Sequence, residues 1–105
     1  MKQYKVSKEM MPYVATVLTR GIHTFNFKET EDGDWICFTP ISSDNFHRIV
    51  QRAKCEKKNE ETGNFYVTSR ERNDTLYLAA LLEFSNKKSY SVIDDPECKK
   101  DYNNI

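Results

Sequence analysis

The stretch IHTFNFKETEDGDWICFTPI, residues 22–41, decides the fold. Two runs rich in aromatic and β-branched residues, 22–29 and 35–41, flank Glu31-Asp32-Gly33-Asp34. An Asp-Gly pair between two such runs favours a two-residue hairpin turn, in which both positions take positive φ. With Asp32 and Gly33 as that turn, Phe27 faces Phe38, Phe25 faces Pro40, and Ile36 lies on the same side. The other side carries Thr24, Asn26, Lys28, Trp35, Cys37 and Thr39. The pattern therefore predicts a hairpin whose core face is Phe25, Phe27, Ile36 and Phe38. Pro40 has no backbone donor, so the second strand ends there or lies at an edge.

Toward the N-terminus, residues 2–6 read as a short strand with Tyr4 and Val6 on one face. Ser7 offers an N-cap and Glu9 places a negative charge in the first helical turn. Met10, Val14, Val17 and Leu18 recur at helical spacing and Gly21 follows as a C-cap, which predicts a helix over 8–20. Pro12 beyond the first turn removes a backbone hydrogen bond, so this helix starts near Met11 or kinks there.

Toward the C-terminus, Ser42-Ser43-Asp44 is a helix start. Phe46, Ile49, Val50 and Ala53 form the apolar stripe of a helix over 43–58, and 59–63 read as a polar loop. Residues 64–69 predict a strand with Phe65 and Val67 on one side. Asn73 or Asp74 caps a helix over 75–84, a segment apolar nearly all round that also fits a buried strand. Residues 89–94 read as a last strand. Asp95-Pro96-Glu97 then has the form of a helix N-terminus opening a polar tail.

This order is β-α-β-β-α-β followed by α-β. It predicts a single α+β domain over 1–94, with 95–105 as a polar C-terminal tail or short helix. The first six elements resemble the ferredoxin-like, split βαβ arrangement, which implies a small mixed or antiparallel sheet with helices on one face. That arrangement hosts unrelated functions, so function must be argued from residues.

The charges exclude several classes. The 105 residues carry 16 Lys and Arg against 16 Asp and Glu, a formal net charge of zero. A general polyanion binder needs excess cations facing phosphates, so nucleic acid is disfavoured as a partner. No apolar run approaches the roughly 18 residues of a membrane span, and no h-region opens the chain. Three cysteines, Cys37, Cys55 and Cys98, form no close pair, which fits free thiols in a reducing cytoplasm. The three glycines, Gly21, Gly33 and Gly63, make no phosphate-cradling loop, so no nucleotide cofactor is expected.

Candidate chemistry is sparse. His23 falls at a strand start and His47 on the second helix, where Cys55 lies two turns away, beyond hydrogen-bond reach. Glu29, Glu31, Asp32 and Asp34 cluster at the hairpin tip without the spaced ligands of a calcium loop, so no metal is expected. No catalytic motif is present, and the chain is not expected to be an enzyme. The second helix stands out instead. Between His47 and Lys58 it carries Arg48, Arg52, Lys54, Lys57 and Lys58 against Glu56, a net of +4. Arg48 and Arg52, one turn apart, are expected on a solvent face that grips an anion or an acidic partner. Arg70 and Arg72 would extend the patch if the fold brings them near. Trp35, Cys37 and Ile41 form an apolar contact patch unless the helix over 76–84 covers them as a second core layer. The resulting expectation is an interaction or regulatory module that binds another protein or forms a homodimer. The alternative is a nucleic-acid accessory protein using the basic helix 47–58.

Overall fold

A computed structural model describes residues 1–93. Its elements are β1 (Lys2–Val6), α1 (Met11–Arg20), β2 (Asn26–Glu29), β3 (Trp35–Thr39), α2 (Ser43–Thr62), β4 (Tyr66–Thr68), α3 (Ser69–Asn73), α4 (Thr75–Ser85) and β5 (Ser91–Ile93). The tail at 95–105 and Cys98 lie outside the described residues.

The β2–β3 hairpin forms, with a register one residue away from the expected one. Thr30 N donates to Asp34 O at 2.7 Å, Gly33 N donates to Thr30 O at 3.1 Å, and only Gly33 in this loop has positive φ, +91°. The loop is therefore the three-residue kind, a turn closed by one left-handed glycine, and Asp32 keeps ordinary backbone geometry. The Thr30 hydroxyl holds it shut by donating to Asp34 O at 3.0 Å and to the Asp32 carboxylate.

A one-residue slip turns a strand over. Phe27 pairs with Cys37 and Glu29 with Trp35, while β1 pairs Tyr4 with Cys37 and Val6 with Trp35. The core face of β3 is Cys37 and Thr39, each 0 % exposed, and the expected core residues Ile36 and Phe38 lie half-buried on the outer face. Tyr4 explains the preference. Its ring stacks on Phe46 with centroids 4.2 Å apart, and its hydroxyl donates to Ile41 O at 2.5 Å. The buried Thr39 hydroxyl is satisfied as well, donating to Thr24 O at 2.7 Å. Outside, the pairing puts Ile36 between Lys5 and Lys28, whose long stems border apolar surface while their charges stay wet.

Sheet order is β1-β3-β2, all antiparallel neighbours, so β1 and β2 run the same way and α1 crosses between them. Val14, Val17 and Leu18 of α1 join Phe46, Ile49, Val50 and Ala53 of α2 on one face of this sheet, in a cluster with Tyr4, Val6 and Cys37. Helix α1 starts at Met11 with Pro12 in its first turn, where no intrahelical donor is lost. Ser7 does not cap it. Its hydroxyl accepts from Met10 N at 3.3 Å and its carbonyl from Met10 N and Met11 N, so it heads a separate turn before the helix. At the other end Gly21 has φ −79°, and the left-handed position falls on Ile22, φ +56°.

Helix α2 runs four residues past its expected end. Lys57 Nζ lies 2.8 Å from Glu61 Oε1 one turn on, and Gly63 at φ +77° supplies the stop. Ser42 caps the start by accepting from Asn45 N at 3.3 Å.

The expected ferredoxin-like order would place β4 beside β1. Instead β4 pairs in parallel with β5 in a second, two-stranded sheet, with α3 and α4 as the crossover. The reason lies on α2. Asn59 Oδ1 accepts from Tyr66 N at 2.6 Å, and Arg52 Nη2 donates to Tyr66 O at 2.9 Å. Both backbone groups of Tyr66 are thereby taken by side chains, and that edge of β4 is closed to β1. A second apolar cluster of Phe65, Val67, Leu78 and Leu81 sits on this side. The segment 75–84 is a helix, α4, capped by Asp74, which accepts from Tyr77 N at 3.1 Å. Helix α2 lies between the two clusters, and the whole is elongated, 41 × 25 × 25 Å.

Candidate functional site

Helix α2 has a second working face beside its apolar stripe. Arg48, Arg52, Cys55 and Asn59 follow at i, i+4, i+7 and i+11, so they line one side, and that side meets β4 and α3. Arg52 is 2 % exposed and not on the solvent face expected of it. Its Nη1 lies 2.9 Å from Glu71 Oε2, and its guanidinium carbon is 5.5 Å from the centre of the Phe65 ring. Burying this charge is tolerable because a carboxylate and a backbone carbonyl both accept from it.

Glu71 is positioned by a device the sequence contained. Thr68-Ser69-Arg70-Glu71 is a capping box: Thr68 Oγ1 accepts from Glu71 N at 3.2 Å and Glu71 Oε1 accepts from Thr68 N at 2.7 Å. The short helix α3 that it starts was not expected, and its S/T-x-x-E spacing was the signal available.

Above the Arg52–Glu71 pair is a cleft of about 300 Å³ between α2 and the α3–α4 corner. Arg48, Arg52 and Arg70 all line it, with Gln51, Thr68 and Tyr77 as neutral donors and Val17 and Ile49 as apolar wall. The fold thus brings Arg70 beside Arg48. Asp74 and Glu71 also line the cleft, each already accepting protein donors. The Tyr77 hydroxyl has its pKa raised, chiefly by burial and then by the Glu71 charge, and remains a proton donor at neutral pH.

The remaining candidate residues do not converge. Lys54, Lys57 and Lys58 lie on a different side of α2 from Arg48. Lys57 is engaged with Glu61, and Lys58 Nζ sits 4.8 Å over the Tyr66 ring. The expected apolar patch is taken apart too. Cys37 is fully buried, Ile41 packs against the first cluster, and the half-buried Trp35 meets the Phe27 ring edge-on at 6.4 Å. What covers this face is α1 and α2, not the helix over 76–84. Burial pushes the Cys37 thiol up to about 12, so it carries no thiolate at neutral pH. At the acidic hairpin tip, Lys5 lies 3.6 Å from Asp32 and 3.8 Å from Asp34. Among the described residues no three His, Cys, Asp or Glu side chains are grouped to hold a metal ion.

A feature not expected from the sequence is the outer face of α4. Only Leu78 and Leu81 are buried there, while Leu76 is 84 % and Phe84 67 % exposed, and Ala79 and Ala80 also face solvent. The Arg20 guanidinium lies 4.2 Å over the Phe84 ring and forms an ion pair with Glu56, which anchors that end of α4 against α1.

No helix among the described residues is long and apolar enough to cross a membrane. The chain matches no protein-family model, and comparison with curated proteins and with solved structures returned no similar chain.

Proposed function

We propose that this chain is a non-enzymatic interaction module that associates with a second copy of itself through the outer face of α4. The observation that carries this reading is the mismatch between α4's composition and its burial. A helix apolar all round belongs in an interior, yet the described residues cover one side of it. Glu83 is its one charged residue, and Ala79 and Ala80 at mid-helix let a second backbone come close. Zero net charge supports self-association, since two copies meet without long-range repulsion. Eleven residues make a helix of roughly 16 Å, so the contact is small and the expected affinity micromolar.

Sedimentation velocity over a range of concentrations tests this. The native chain should shift from monomer to dimer, and Leu76→Glu should stay monomeric with an unchanged melting temperature. A native chain that is monomeric throughout the micromolar range overturns the reading.

The non-enzymatic part is supported by Cys37, whose thiol is protonated in the core. Cys37 as a free buried thiol favours a reducing compartment such as the cytoplasm. A nucleic-acid accessory role has Arg70 beside Arg48 in its favour. Against it, Arg52 is bound to Glu71 and Lys57 to Glu61, which weakens the basic helix as a phosphate grip. That role predicts a salt-dependent mobility shift with DNA or RNA that Arg48→Glu abolishes.

A further inference from the structure

We propose that the cleft between α2 and the α3–α4 corner is a binding site for a phosphoryl group, with Arg48 and Arg70 as its charged ligands. This is independent of the α4 reading and concerns a different surface. Three arginines line one cleft, and they are not equivalent. Arg52 is fixed under the floor by Glu71 Oε2 and Tyr66 O. Arg48 and Arg70 are exposed and have no carboxylate partner among the described residues. Their donors are therefore available.

The two carboxylates in the lining do not cancel them. Glu71 accepts from Arg52 and from Thr68 N, and Asp74 caps α4 through Tyr77 N. Both are held by the fold rather than by Arg48 or Arg70. Counting all five charges leaves the cleft at +1, with the Arg52 charge too deep to be screened by water.

The choice of phosphoryl group over carboxylate follows from the donors. Arginine forks match phosphate oxygens two at a time, and Thr68 of β4 and Tyr77 of α4 line the same cleft with hydroxyl donors. That suits a tetrahedral dianion better than a planar monoanion. A volume of about 300 Å³ is at the small end of ligand pockets, and Val17 and Ile49 give one wall an apolar surface. A phosphate monoester of a small molecule fits both facts, and free phosphate would use the same donors.

The test is a titration of the full chain with inorganic phosphate, phenyl phosphate and acetate at constant ionic strength, read by the backbone and arginine Nε–H signals in 1H–15N spectra. The expected result is saturable shifts at Arg48, Arg70 and Thr68 with both phosphates. Phenyl phosphate should bind more tightly if the ligand is an ester, and inorganic phosphate at least as well if it is the free ion. Arg48→Ala and Arg70→Ala should each weaken binding about tenfold, and Leu76→Glu should leave it unchanged. Shifts that do not saturate, equal shifts with acetate, or native affinity retained by both arginine variants would overturn the proposal.

Discussion

Nη1 of Arg52 lies 2.9 Å from Oε2 of Glu71, and the pair joins the two halves of the molecule between their apolar clusters. Arg52 comes from the middle of α2 and Glu71 from α3, and the same guanidinium holds β4 through Tyr66 O. The pair fixes the second sheet at the angle that leaves the arginine cleft above it.

Removing one partner should therefore be far worse than removing both. Glu71→Ala leaves a buried cation and opens the capping box, with an expected loss of about 3–5 kcal/mol. The double variant Arg52→Leu with Glu71→Leu should recover part of that, because coupled residues in one pair are not additive. Urea denaturation followed by circular dichroism measures both. A Glu71→Ala loss within about 0.5 kcal/mol, the range of ordinary surface changes, would contradict the role given to the pair.

Ile22 offers a change in the other direction. A β-branched residue at φ +56° is strained, and at 93 % exposure Ile22 gains little from packing. Left-handed geometry costs a non-glycine residue roughly 1–2 kcal/mol, against about 0.5–1 kcal/mol for the greater freedom glycine loses. Ile22→Gly and Ile22→Asn should each stabilise the chain, by about 1 kcal/mol for the glycine, as an increase in thermal midpoint.

Cys37 makes a pH prediction. Its thiol has an ordinary value of 9.0 and is held at about 12 in the fold. Below pH 9 both states are protonated and nothing changes. Between 9 and about 12 the unfolded chain loses the proton first, so Cys37 removes about 1.4 kcal/mol of stability per pH unit. Alkaline stability curves of the native chain and Cys37→Ala should diverge above pH 9, the native curve falling faster. Parallel curves would contradict the burial assigned to this thiol.

These residues also show how far the sequence could be read. Periodicity located Tyr4 and Val6, the stripe of α2, and Phe65 with Val67, because alternation and helical spacing are set by local geometry. The face of β3 was not legible. Asp32-Gly33 supports a two-residue or a three-residue loop, and the choice fell to Tyr4 pairing with Cys37 across the sheet. Arg52 was misplaced for a related reason: a charged residue off the apolar stripe reads as solvent-facing unless its partner, nineteen residues away, is known. Thr68 and Glu71 carried a readable capping signal. The exposure of Leu76 and Phe84 was beyond reach, since an apolar sequence does not say which of its sides is covered.

The register itself is testable by substitution. Ile36→Thr on the outer face should cost under about 1 kcal/mol, whereas Cys37→Leu overfills the layer under Tyr4 and should cost about 1–3 kcal/mol. The reverse ranking would restore the alternative face of β3.

The most direct test of the proposed association is an isotope-filtered NOE experiment on an equal mixture of 13C,15N-labelled and unlabelled chains at high micromolar concentration. The account predicts intermolecular NOEs from the Leu76 methyl groups and the Ala79 and Ala80 methyls to α4 of the second copy. Intermolecular NOEs confined to Ile36 and Phe38 on the outer sheet face, or none at all, would contradict it.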